Sequence, residues 1–315
     1  MMRFVAMRLV RAVLVVWVAL TLVFVLTHVV GDPAVATLGP RARPEQLEAF
    51  REAHGLNRPL HVQYVDIMSG LVTGDLASYR GTHQRVGDVV MTRLPRTMLL
   101  GALTLVLELL LGVGIGILAA LRRNTLLDTL LMGGAFLGIS APSFLTGLVF
   151  LNILAFRLGW FPVGGYGVSA LDHLRHAMLP AFTLAILGAA SYARIMRSEM
   201  IETLRQDHVR TATAKGLPRW RVVMTHAVRN ALLPIVTLAG LGLPLLVSGA
   251  IVTEQIYNWP GVGRLAWESI STLDVPMLLA VVFWASVAVQ VGNLLADIAV
   301  ARLDPRVRLG DEPRR

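Results

Sequence analysis

Few residues of this 315-residue sequence are of a type, and in a place, to do chemistry, and most of those lie within apolar runs. Glu108 stands inside the run Met98 to Leu121, where a carboxylate is costly and marks a transport path, a proton relay or a buried polar contact. A proton-coupled carrier would carry more intramembrane carboxylates. The only other candidate, Asp297, sits near the end of the last run, which disfavours ion coupling. Ser140, in Gly138-Ile139-Ser140, and the run-edge residue His176 have the types of a hydrolase nucleophile and base. The simpler reading is a serine hydroxyl bonded to the preceding helical turn, where Pro142 leaves a carbonyl free. A phosphate-binding loop would need Gly-Lys-Ser/Thr, and the only lysine, Lys215, lies in Ala214-Lys215-Gly216. The absence of cysteine removes disulfides, thiolate metal sites and thiol nucleophiles. The residues thus predict no catalytic, cofactor-binding or metal-binding site, and any use of ATP would fall to a partner.

The elements that position these residues are set by hydropathy. Hydrophobic residues make up 55% of the chain and charged ones 16%, which is too apolar for an ordinary soluble domain. A span needs about 20 apolar residues, because only a helix satisfies its own backbone polar groups in lipid. Runs of about that length cover Val13 to Val30, Met98 to Leu121, Leu130 to Phe156, Ala177 to Ile195, Ala231 to Val252 and Met277 to Val300. The first follows Arg3, Arg8 and Arg11 as a signal peptide would, but it is long and no small-x-small cleavage site follows, so it reads as a retained anchor. The net charge of +9 is a topology signal rather than a nucleic-acid face, since the arginines sit between apolar runs. Arginines before the first run, at Arg122 and Arg123, through Arg194 to Arg229, and at Arg302, Arg306, Arg308, Arg314 and Arg315 put both termini in the cytoplasm. An all-α protein of six transmembrane helices follows, as one domain over 1–315 with an extracytoplasmic loop at 31–97. Within that loop Pro44 to His54 predicts a short amphipathic helix ended by Gly55.

Small residues suggest how the spans meet. Gly112 and Gly116 are spaced for close helix approach, and Gly133, Gly134 and Gly138 fit close contacts too. Pro234, Gly240, Gly242, Pro244 and Gly249 make the fifth span breakable, so with Glu108 they are candidates for the translocation path or for packing. The cytoplasmic segment 196–230 is rich in helix formers up to Gly216. Gly216-Leu217-Pro218 then predicts a sharp turn before Arg219 to Val228 resumes helically. Ala212 and Ala214 beside that turn suit a surface that another protein packs against.

Arg210-Thr211-Ala212-Thr213-Ala214-Lys215-Gly216 followed by Arg229-Asn230-Ala231-Leu232-Leu233-Pro234 resembles the coupling loop of ABC importer permeases, nearest to the first-permease type of the dipeptide and oligopeptide branch. The likeness runs through Gly31-Asp32-Pro33, Gly74-Asp75-Leu76, Arg93-Leu94-Pro95, Pro142-Ser143-Phe144, Leu158-Gly159-Trp160-Phe161-Pro162, Asn258-Trp259-Pro260-Gly261-Val262-Gly263 and Leu303-Asp304-Pro305-Arg306. Each fragment is weak, but their order is specific. The resemblance implies the type I importer transmembrane fold in a prokaryotic inner or plasma membrane. It also implies a homologous second permease, two cytoplasmic ATPases that use ATP and magnesium, an extracytoplasmic substrate-binding protein and surrounding lipid, with no nucleic acid.

It further implies that Arg205, Asp207, Arg210, Thr211, Ala212, Lys215, Gly216 and Leu217 form the ATPase-coupling loop. The general importer motif begins with glutamate and two alanines, whereas Arg210, Thr211 and Ala212 stand there, so a glutamate contact to the ATPase is not expected. The spacing from Gly216 to Pro234 is also longer than in the general pattern, as in the peptide branch. The implied cargo is a dipeptide or oligopeptide. Nickel or another small ligand is the alternative within the family, and an ion-coupled carrier using Glu108 the alternative outside it.

Overall fold

A computed structural model describes residues 2–80, 85–242 and 251–303. Apart from an isolated bridge between Ala77 and Arg85, the regular structure among the described residues is helical. Helix α1 (Met2–Val30) leads into an outer loop that carries α2 (Pro33–Leu38), α3 (Pro44–Ala53) and α4 (Leu60–Thr73). Then come α5 (Val86–Leu121), α6 (Leu126–Ser140), and α7 (Ser143–Phe150) with its π-helical continuation Leu151–Arg157. The long α8 (Ala170–Thr203) precedes the short α9 (Asp207–Ala214). Helix α10 (Arg219–Arg221) passes through π-helical Val222–Val228 into α11 (Arg229–Gly242). The described residues end with α12 (Ile251–Ile256), α13 (Val262–Ser271) and α14 (Val275–Leu303).

Helices α1, α5, α8, the α10–α11 run and α14 are each long and apolar enough to cross a membrane. The α6–α7 pair is the sixth candidate, and its two halves are bent by 105°. The continuous helix expected over 130–156 is therefore corrected to two helices broken at Ala141 and Pro142. Pro142 is the physical cause: it lacks an N–H, and it disfavours the α conformation in Ala141, which is extended at φ −83° and ψ 132°. Helix α5 starts at Val86, within the segment 31–97 expected as the outer loop, and its 36 residues exceed what a span needs. Pro244 and Gly249, like Arg306, Arg308, Arg314 and Arg315, lie outside the described residues.

The main contact in the bundle is α5 against α8. A Cβ at Gly112 would stand 2.7 Å from the Ala189 carbonyl oxygen, and one at Gly116 2.7 Å from that of Ala193, so the backbones meet with no side chain between them. Gly138 likewise faces Ile186. The expectation that Gly133 and Gly134 also make close contacts is not met within this chain: nothing lies within 4 Å of a Cβ at either.

The outer loop is pinned at its start. Asp32 caps α2 through the Ala34 N–H at 2.9 Å and pairs with Arg51 of α3 at 2.6 Å, which explains the run Gly31-Asp32-Pro33. Burial pushes the Asp32 carboxyl up, but the Arg51 hydrogen bond, the Ala34 N–H and the Arg51 charge together hold it below the usual range. Deeper in, the buried Asp274 accepts from the Tyr79 N–H at 3.2 Å and the Met277 N–H at 3.3 Å, and the Ser78 hydroxyl also donates to it. Asp274 thereby ties the outer loop to the first turn of α14.

Candidate functional site

At the arginine-rich end of the bundle, where Arg122 and Arg123 join α5 to α6, α8 gives way to the segment 204–218. The sequence predicts unbroken helix to Gly216, whereas the chain turns at Leu204 to Gln206 before α9 begins. Gly216 takes φ +78°, the left-handed conformation that glycine adopts without a Cβ penalty. Its N–H bonds the Thr213 carbonyl at 2.9 Å, and the Leu217 N–H reaches back to Ala212 at 3.4 Å. This paired closure is a Schellman turn, and the Leu217 side chain packs with Ala212 beneath it, as that turn favours. Pro218 then stands at the N-cap of α10.

The elbow has two faces. Arg205, Asp207, Arg210, Thr211, Lys215 and Gly216 are exposed, while Val209 and Ala212, three residues apart, are buried against Val222 with Leu204 and Leu217 alongside. Ala212 thus points inward, contrary to the expectation that it forms part of an outward docking surface; Ala214 is exposed. His208 Nε2 lies 3.1 Å from Asn230 Nδ2, and Asn230 donates to the His226 carbonyl at 3.0 Å. The elbow is therefore fastened to the π-helical stretch and to the first turn of α11. No pattern in the sequence announced that wider helix.

Among the other candidates, Glu108 lies one turn before Gly112 on the face of α5 that meets α8, with its carboxyl over Gly188. It makes no hydrogen bond or ion pair among the described residues. Pro234 sits inside α11, which continues through it. Nothing lies within 4 Å of a Cβ at Gly240, and one at Gly242 would be 3.7 Å from the Tyr192 hydroxyl. Glu108 and Gly242 thus flank Tyr192, whereas Gly240 and Pro234 are not gathered there. Ser140 donates to the Phe136 carbonyl at 3.0 Å and His176 Nδ1 lies 2.7 Å from the Asp172 carbonyl, so each is held by its own helix rather than by the other.

Sequence reasoning missed Glu254. This fully buried carboxylate, at the opposite end of the bundle from the elbow, accepts from the Thr97 hydroxyl at 2.8 Å and from the Arg264 N–H at 2.8 Å. The Thr97 oxygen in turn accepts from the Val262 N–H at 2.8 Å. Glu254 and Thr97 therefore cap α13 from other elements, and a Cβ at Gly263 would stand 3.0 Å from the carboxylate. The glycines of Asn258-Trp259-Pro260-Gly261-Val262-Gly263 are the signal that could have led to it. Trp259, fully buried, donates from Nε1 to the Arg96 carbonyl at 3.3 Å and meets the Tyr166 ring edge-on at 5.0 Å.

Glu254→Ala is expected to lower the stability of the purified protein by roughly 2–4 kcal/mol, because donors to a buried charge lose their partner. Thr97→Ser, which keeps the hydroxyl, should stay within about 1 kcal/mol of the parent. Thermal unfolding of the two variants side by side checks this ordering.

The family described as binding-protein-dependent transport system inner membrane component matches residues 112–309, and its N-terminal companion matches residues 1–101. The oligopeptide transport system permease protein AppB of Bacillus subtilis (strain 168) is 39% identical over 88% of this chain and 90% of its own length. The glutathione transport system permease protein GsiC of Escherichia coli (strain K12) is 35% identical over 98% of this chain and 99% of its own. Among solved structures, the MetNI methionine ABC transporter in inward-facing conformations matches with a TM-score of 0.56 at 14% identity. That match covers 69% of this chain and 96% of the transporter chain, and it speaks to the fold alone.

Proposed function

The chain belongs to the family of binding-protein-dependent transport system inner membrane components, and on that premise we propose that it is a membrane-spanning subunit of an ATP-driven importer of short peptides. The peptide reading is supported by the relatives' names: one handles oligopeptides and the other glutathione, itself a tripeptide. The chain works with a homologous second permease, two ATPases in the cytoplasm and an extracytoplasmic binding protein. Arginine placement supports an inner-membrane orientation with both termini and the elbow on the cytoplasmic side.

The observation that carries the mechanism is the elbow closed at Gly216. Its exposed residues Arg205, Asp207, Arg210, Thr211 and Lys215 offer polar contacts to an ATPase, and its buried side is fastened to the fourth and fifth spans. Driving a two-state equilibrium from 1:99 to 99:1 takes about 5.5 kcal/mol, so a connection that yielded under load would absorb the stroke. A short helix locked by a Schellman turn and a hydrophobic contact does not yield easily. ATPase closure therefore moves α9, and α9 moves α8 and the α10–α11 run, biasing inward-facing against outward-facing arrangements. Residues of this chain neither bind nor hydrolyse the nucleotide.

Pull-down with native partners, followed by chemical identification of what the binding protein carries, tests the substrate. A peptide of a few residues is expected. A bound nickel ion in its place would replace the peptide reading with the metal one.

A further inference from the structure

The break between α6 and α7 leaves backbone that needs a protein or water neighbour. Irregular backbone at membrane depth is tolerated only where protein covers it or it lines a water-filled cavity, because lipid cannot bond the freed polar groups. Ser140 and Pro142, at the 105° bend, are both exposed on this chain. The stripe that leads to the bend holds Thr129, Met132 and Phe136, which share one side of α6 with Ser140 by helical spacing.

That stripe forms one wall of a groove against α8. Its lining is Asp128, Thr129, Met132, Phe136, Arg194 and Arg197, around about 340 Å³, which lies in the range that takes a small ligand. Two arginines enter it with different fates. Arg197 is bound by Asp128 through both guanidinium and carboxylate forks at 2.7 Å, so its charge is neutralised. Arg194, one turn of α8 and roughly 4.5 Å deeper, is exposed and has no ion pair or hydrogen bond among the described residues. Arg194 stands at the cytoplasmic end of the apolar run 177–195, where its guanidinium in the groove calls for a counter-charge.

We propose that Arg194 is an anion subsite of the translocation path, which receives the carboxylate of a peptide as it leaves toward the cytoplasm. This rests on the reading of the chain as a peptide permease. Phe136 and Met132 give apolar contact to side chains of unspecified sequence, and the guanidinium offers paired N–H donors to the one group every unmodified peptide carries at its C-terminus. A lipid phosphate shares this anionic chemistry, and the test below separates the two.

The test uses the complete importer in liposomes, with the binding protein preloaded to equal occupancy with tri-alanine or with its C-terminal amide. Arg194→Gln is expected to lower the maximal uptake rate of the free acid about tenfold or more, the worth of a charge-assisted hydrogen bond, with uptake of the amide unchanged. Arg194→Lys, which keeps the charge but not the fork, should fall between. An equal loss for both peptides would overturn the inference by pointing to a structural role or to a carboxylate of the second permease. No loss for either would overturn it too, as would a phospholipid retained by the parent and released by Arg194→Gln in native mass spectrometry. Failure of the parent importer to move either peptide would instead remove the peptide reading, and the subsite with it.

Discussion

Gly216→Val is expected to leave the importer assembled and to cut ATP-driven uptake by tenfold or more. The reason lies in the backbone alone. Gly216 has φ +78°, and nothing lies within 4 Å of the position a Cβ would take, so valine meets no steric wall from its neighbours. What it meets is its own dihedral preference: a β-branched residue in the left-handed region is a true outlier, at a cost of about 1–2 kcal/mol or more. The strain is relieved by opening the turn, which breaks the Leu217 to Ala212 bond and lifts Leu217 from the Val209 and Val222 contacts. Since a tenfold rate change corresponds to about 1.4 kcal/mol, strain of this size suffices to disconnect the lever without unfolding the spans. Gly216→Asn is the internal control, because asparagine tolerates the left-handed region, and it should keep most of the activity. Uptake and substrate-stimulated ATPase activity measured on both variants decide the matter; normal values for valine would remove the elbow's role.

Gly116→Ala and Gly114→Ala should have opposite effects on stability, although they differ by half a turn and by the same single methyl. A Cβ at Gly116 would stand 2.6 Å from the Met196 Cβ and 2.7 Å from the Ala193 carbonyl oxygen, both fixed parts of α8. Neither can swing aside, so α5 and α8 must separate, and the buried contacts around Met196, Met200 and Ala120 loosen with them. Overpacking of this kind costs roughly 1–3 kcal/mol, and more where backbone is displaced. At Gly114 nothing lies within 4 Å, and replacing glycine by alanine inside a helix gains up to about 1 kcal/mol. Melting temperatures of the purified variants should move down for the first and hold or rise for the second.

Much of this was legible in the sequence, for definable reasons. Spans are readable because lipid demands runs of apolar residues, and the Gly112/Gly116 contact because only glycine permits such approach. The turn at Gly216 was readable because Gly-x-Pro allows little else, and the helix from Pro44 because its cap and termination residues are local. What escaped has a separate physical cause in each case. The bend after Ser140 lay under a continuous apolar run, with only Pro142 to mark it. Glu254 escaped because its partners Thr97 and Arg264 come from other elements. The inward orientation of Ala212 escaped because it is set by Val222, beyond the turn, rather than by composition. The π-helical Val222–Val228 carries no residue pattern that separates a π-helix from an α-helix.

The most direct test of the account is peptide accumulation in liposomes, comparing the complete importer with this chain alone, with and without ATP at the ATPase face. Accumulation against a gradient is expected only from the complete importer, and only with ATP. Transport of the same peptide by the isolated chain without nucleotide would contradict it, and would return Glu108 to the centre of the mechanism.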